Sequence, residues 1–207
     1  MPEQLNEDVK LQVLHEHYKD SFRYVRKDIS ARTKIFSIIL IFIALHFFQV
    51  TDPEKASNAA DAFLKSTVGF TVSIKGQAIG ALLWFVLLSA IVRYYQINIY
   101  INRQYKYLHK LEKIFKELLG KEMIFREGNH YLSDYPNFSK GIHILYTWVF
   151  PLLILVMGLL KIYTDYPGEF NLPYSFSLIC FLATIIFTLL YLGFLHCKSI
   201  KKKESHI

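Results

Sequence analysis

Residues 35–50, IFSIILIFIALHFFQV, carry no charged side chain, and their reading decides the fold. As a helix at 1.5 Å per residue they cover about 24 Å, short of a bilayer's hydrocarbon core of roughly 30 Å. Extending the span from Thr33 to Thr51, with Arg32 and Lys34 snorkelling, closes the gap. Upstream, residues 5–34 read as an amphipathic helix. Leu11, Leu14, Tyr18, Phe22, Val25 and Ile29 recur at three- and four-residue steps, and Asp20, Arg23, Lys27 and Asp28 fill other positions. Residues 1–34 hold six acids and seven bases. That balance suits a cytosolic helix packing on its neighbours better than one lying on a membrane surface. It is also too long and mixed for a signal-peptide n-region, so no cleavage is expected.

Downstream the pattern repeats. Residues 51–77 are mixed in character and form an external loop, in which Asp52-Pro53-Glu54 reads as a helix start. Phe70 to Ile74 suits a short strand or an extended lead-in. Residues 78–92, AIGALLWFVLLSAIV, are the second span, and it can begin as early as Val68 with Lys75 at the interface. The helical spacing does not stop at Arg93. Tyr94, Ile97, Ile101, Tyr105, Leu108, Leu111, Phe115 and Leu118 carry it to Gly120, which predicts one long helix projecting into the cytosol. Residues 121–140 lose the pattern. Glu127-Gly128-Asn129 is turn chemistry, and a small hairpin or compact loop is expected. Residues 141–162 form a third span, which Pro151 should kink by removing a backbone hydrogen bond. A short turn over 163–173 leads to a fourth span over 174–197 and a basic tail over 198–207.

The expected fold class is therefore an all-α integral membrane protein with four transmembrane helices and a cytosolic helical extension. Orientation follows from the lysines and arginines beside each span. Residues 1–34 hold seven, 93–141 hold nine and 198–207 hold four, against three in 51–77 and none in 162–174. With four spans the rich segments all share one side. Both termini are then cytoplasmic, and the +7 formal charge needs no nucleic-acid partner. The domains read as helix 1–34, hairpin 35–92, cytosolic helix and loop 93–140, hairpin 141–197 and tail 198–207. Cys180 and Cys197 cannot meet on one helix and read as reduced packing residues.

Chemistry is sparse. Spans one, three and four contain no Asp, Glu or Arg, which disfavours transport through a buried carboxylate. His46, His143, Lys161 and His196 lie near span ends, where solvation is cheap. A pore shared by several copies needs no such groups. Ser37, Gln49, Gln77, Ser89, Thr147, Thr184 and Thr188 are available to line one. His15 and His17 sit two apart on a helix and face different directions, unlike the spacing a zinc site prefers. No metal, cofactor or small-molecule substrate is expected. The basic face over 103–121 offers charge to RNA or anionic lipid, but Glu112, Glu117 and Glu122 interrupt it in the manner of a salt-bridged coiled-coil flank. Tyr18, Phe22, Tyr105, Leu108, Leu111 and Phe115 are the candidate interface. Helix 5–34 supplies one partner for the long helix and a second copy of the chain supplies another, making a cytosolic collar.

Three resemblances bear on function. Arg103 and His109, with Asn102 before them, form an R-x5-H spacing that resembles the motif of the HEPN ribonucleases, in which two protomers build one composite site. Glu16-His17-Tyr18-Lys19, Arg26 and Ser30-Ala31-Arg32, followed by Trp84, Tyr94-Tyr95, Asn98, Lys106-Tyr107 and Leu111-Glu112, look like the RipA-type bacterial membrane proteins, described as octameric. The topology is also similar to the multi-pass membrane accessory proteins of type VI-B CRISPR systems. These resemblances imply a ring-like bacterial inner-membrane assembly and a role in phage defence. The expected function is an oligomeric, non-enzymatic membrane protein that forms or controls an opening. The alternatives are a scaffold or regulator docking a cytosolic RNA-guided nuclease, and a membrane-bound ribonuclease using Arg103 and His109. Expected partners are the lipid bilayer, further copies of the chain, and such a nuclease or its RNA.

Overall fold

A computed structural model of the chain describes residues 7–68, 76–119, 141, 144–168 and 170–204. Among them all regular structure is helical. Helix α1 runs Glu7–Thr51, α2 Pro53–Val68, α3 Gly76–Leu119, α4 Phe150–Thr164 and α5 Leu172–Glu204, and a π-helical turn over Leu145–Val149 precedes α4. Helices α1, α3 and α5 are long and apolar enough to cross a membrane, and α4 is a shorter apolar helix. The extended segment expected at Phe70 to Ile74 and the hairpin expected over 121–140 lie outside the described residues.

The long helix expected past Arg93 is present. Helix α3 has 44 residues without a break, about 66 Å, and α1 has 45. Each exceeds the length a bilayer core needs and joins an apolar half to a charged one. The chain divides accordingly into two units: Met1–Lys34 with Gln96–Gly141, and Ile35–Tyr95 with Ile142–Ile207.

In the first unit α1 packs on α3 through rings. Tyr18 meets Phe115 edge-on at 5.8 Å and lies parallel to Phe22 at 6.4 Å. Val25, Leu108, Leu111 and Phe115 are buried beside them. Aromatic pairs in such geometry contribute about 0.5–1.5 kcal/mol beyond their area.

In the second unit the core is Ile39, Trp84, Leu87, Ile91, Ile154 and Phe181. Phe36 packs on Phe150 at 4.7 Å, and Tyr95 stacks on Tyr191 at 4.2 Å. Gly158 of α4 lets the rings of Phe181 and Trp84 reach the helix backbone, because a Cβ there would run into Phe181 and come within 3.1 Å of Trp84. The disruption expected at Pro151 takes a specific form. The Phe150 N–H donates to the Leu145 carbonyl, five residues back, so a widened turn sits just before the proline. Proline has no N–H and its ring crowds the carbonyl four residues earlier, and a widened turn relieves both.

The connections are capped. Asp52 accepts from the Lys55 N–H at 3.2 Å ahead of Pro53, so Asp52-Pro53-Glu54 does start a helix, as its residue types require. Asn171 accepts from the Tyr174 N–H at 2.9 Å and starts α5. Between α4 and α5, Gly168 takes φ +81°, a conformation open to glycine at little cost.

Candidate functional site

Four helix ends in the second unit meet at one polar cluster. Gln49 lies two residues before the end of α1, Gln77 is the second residue of α3, Lys161 is in the last turn of α4, and Asn171 caps α5. Lys161 is 3% exposed, and its ammonium donates to the Asp165 carboxylate at 2.6 Å, one helical turn on. The Gln77 amide donates to the Asp165 backbone carbonyl at 3.3 Å, and the Asn171 amide donates to Gln77 Oε1 at 2.9 Å. Gly80 keeps the space beside Lys161 open: a methyl group there would meet Lys161 Nζ at 3.4 Å and Gln49 Oε1 at 3.5 Å.

This corrects the expectation that His46 and Lys161 sit where solvation is cheap. His46 is 1% exposed, and its ring lies 4.8 Å from that of Trp84. Position near a span end did not imply contact with water, because neighbouring helices cover both side chains. His143 and the side chain of His196 lie outside the described residues. By sequence Asp165 falls in the turn over 163–173. The Lys161-x3-Asp165 spacing at a helix end was the available signal, since residues four apart on a helix are neighbours.

Above the cluster is a cavity of about 380 Å³, lined by Gln49, Gln77, Ile79, Lys161, Thr164 and Asp165 and by Pro53, Glu54, Ala56, Ser57 and Ala60 of α2. The small residues Ala56, Ser57 and Ala60 leave the space open. Of the polar residues proposed to line a pore, Gln49 and Gln77 therefore meet at one cavity. Thr184 and Thr188 are buried elsewhere, where Thr188 shares a 3.0 Å hydrogen bond with the Tyr95 hydroxyl. Each of these threonines also bonds back to the carbonyl four residues earlier, at 2.8 and 2.7 Å. Ser37 and Ser89 are exposed, and the Thr147 side chain is outside the described residues.

The first unit holds a different arrangement. Glu112, 6% exposed, accepts from the Tyr18 hydroxyl at 3.2 Å through one oxygen. Its other oxygen lies 3.2 Å from His109 Nδ1. Arg103 is exposed on α3. Six residues on a helix turn through about 240° beyond a full circle, so Arg103 and His109 do not share a face within one chain. Tyr18, Leu108, Leu111 and Phe115 are occupied by packing within the chain, Phe22 is half-buried, and Tyr105 is exposed. His15 and His17 are exposed on α1, and Cys180 is buried as a packing residue. Among the described residues no group of His, Cys, Asp and Glu could hold a metal ion.

No family model matches the chain, and no curated protein or solved structure matches it significantly.

Proposed function

We propose that this chain is a four-span membrane protein that assembles through its first unit and controls passage across the membrane through its second. The carrying observation is the reversal of polarity in the second unit. Ile179 and Leu190 are each 64% exposed, while Lys161, Thr184 and Thr188 are buried. Large outward apolar side chains around inward polar ones suit lipid as the surrounding solvent. The π-helical turn and α4 together give an unbroken helical run over 144–164, long enough to serve as the fourth span. The lysine and arginine bias then puts both termini and the first unit in the cytoplasm.

Assembly has its own support. On α3 of the first unit, Tyr100, Tyr107 and Ile114 recur at seven-residue steps and are exposed, with Leu118 continuing the stripe. The stripe has one apolar side chain per heptad, with Arg103, Lys110 and Glu117 three residues on, and a second copy of the chain is its occupant in this reading. The RipA-type and type VI-B accessory resemblances support a ring in a bacterial inner membrane with a defensive role. The mechanism needs no covalent chemistry: helices move or spread, and a polar path opens between them.

The test is the detergent-corrected mass of the purified protein, followed by dye release from liposomes. One discrete multimer that dissociates in Tyr107→Lys and Ile114→Lys, with release lost in parallel, is the expected result. A monomer removes the shared opening. A multimer that releases no dye leaves the docking scaffold as the function.

A further inference from the structure

The turn between α4 and α5 presents large apolar side chains on a fixed frame. Phe170 is 71% exposed and Leu172 87%, and Tyr163, in the last turn of α4, is 83% exposed. The backbone that carries them is fastened. Gln77 of α3 bonds both arms of the turn, donating to the Asp165 carbonyl and accepting from the Asn171 amide. Within the turn the Tyr166 hydroxyl donates to the Gly168 carbonyl at 3.1 Å. The rings of Tyr166, Phe170 and Tyr174 pack on one another, with centroids 5.6 to 6.2 Å apart. A turn pinned in this way cannot fold its apolar groups inward, so in water their exposure is a standing cost.

The two flanking helices say what covers them. Leu152, Val156, Leu159 and Tyr163 recur at three- and four-residue steps and are all exposed, so Tyr163 ends an outward stripe of α4. Leu172, Phe176 and Ile179 begin the matching stripe of α5, whose run Leu172–Phe194 is apolar enough to cross a membrane. The turn thus continues the outward faces of both helices, and lipid covers those faces in the four-span reading. Residues 162–174 contain no lysine or arginine, so nothing here reaches for a lipid phosphate. Tyr163 and Tyr166 each carry an apolar ring with a polar tip, the residue type enriched where acyl chains meet headgroups. We propose that this turn is an interfacial anchor. Tyr163, Phe170 and Leu172 sit at the boundary of headgroups and acyl chains, and they fix the depth of the α4–α5 hairpin by apolar burial, independent of lipid charge. The inference rests on the membrane reading above but not on assembly or an opening.

The experiment introduces a tryptophan into the intact protein, Phe170→Trp at the turn or Ile179→Trp as a reference within the span, after reconstitution in phosphatidylcholine vesicles. Emission is read as the difference from the parent protein, which already contains Trp84 and Trp148. It is quenched from the lipid by acyl-brominated phosphatidylcholine and from water by iodide present on both sides of the vesicle. The expected result at 170 is quenching several-fold stronger by lipid brominated near the headgroup than by lipid brominated deep in the chain, unchanged when anionic lipid is added. Ile179 lies about 10 Å beyond Leu172 along α5 and should show the opposite preference. Dominant iodide quenching at 170 with lipid quenching at 179 overturns the anchor and leaves the spans intact. Quenching by neither agent at 170 means that protein, such as a second copy, covers the turn, and this overturns it as well. Lipid quenching at 170 that requires anionic lipid does the same. Iodide quenching at both positions overturns the membrane reading and the anchor together. Tyr163→Trp gives the same readout from α4 if Phe170→Trp does not fold.

Discussion

Glu112 in one unit and Asp165 in the other are both carboxylates beside a basic side chain about one helical turn away, yet their settings differ. Glu112 takes a tyrosine hydroxyl from α1 and a half-exposed histidine one turn back on α3, among helices whose outer faces carry Arg103, Lys106, Lys110 and Lys113. Asp165 takes a lysine ammonium that is itself buried, among helices whose outer faces are isoleucine, leucine and phenylalanine. In the first, the carboxylate is the buried member and its histidine neighbour is 41% exposed, so the pairing with that histidine is screened by solvent and contributes little. In the second, the ammonium is the buried member, 4% exposed against 17% for the Asp165 side chain, so removing the carboxylate strands a buried charge. The same residue types thus carry different energetic weight because their surroundings differ.

The contrast breaks most clearly at Asp165. Asp165→Ala leaves the Lys161 ammonium buried without its carboxylate and is expected to cost about 3–5 kcal/mol in reversible unfolding in detergent micelles. Lys161→Met combined with Asp165→Leu removes both charges and should recover most of that loss. A single variant no worse than the double would mean that the pair is solvated and that the two units do not differ.

Packing gives the next largest effect. Gly158→Ala drives a methyl group into the Phe181 ring and should destabilise the second unit by about 1–3 kcal/mol. Phe181→Leu added to it should restore part of the loss. Additive penalties from the two changes would show that the ring and the glycine backbone are not in contact.

In the first unit Tyr18→Phe removes one hydrogen bond to Glu112 and keeps the ring contact with Phe115, for about 1 kcal/mol. A loss as large as that of Asp165→Ala would mean that Glu112 depends on the Tyr18 hydroxyl as strongly as Lys161 depends on Asp165. Arg103→Ala, at an exposed position, should change stability by less than about 0.5 kcal/mol. With His109→Ala it should also leave any RNA-cleaving activity of the preparation unchanged, and a loss in both variants with intact assembly would restore the composite nuclease site.

Helix existence was legible because it is a local property. Residues 35–50 and 78–92 lack charge, the three- and four-residue spacing past Arg93 continues without a breaker, and Asp52-Pro53 carries its own cap chemistry. The contact of α1 with α3 was legible too, since two amphipathic helices in one chain each leave an apolar face to cover. The candidate site was legible only as separate residues. Gln49, Gln77, His46 and Lys161 stood out one by one as polar groups in or near apolar runs, and nothing in their spacing joined them.

By itself, the sequence determined that the chain is helical, where its apolar runs lie and which segments concentrate positive charge. These follow from side-chain type and from a helical period of 3.6 residues, and they need no knowledge of neighbours. The tertiary structure alone decided that His46 and Lys161 are dry, that Asp165 pairs inward across one helical turn, and that small residues of α2 leave a cavity over four helix ends. Burial and pairing depend on atoms that are distant along the chain, and local pattern carries no record of which distant atoms arrive.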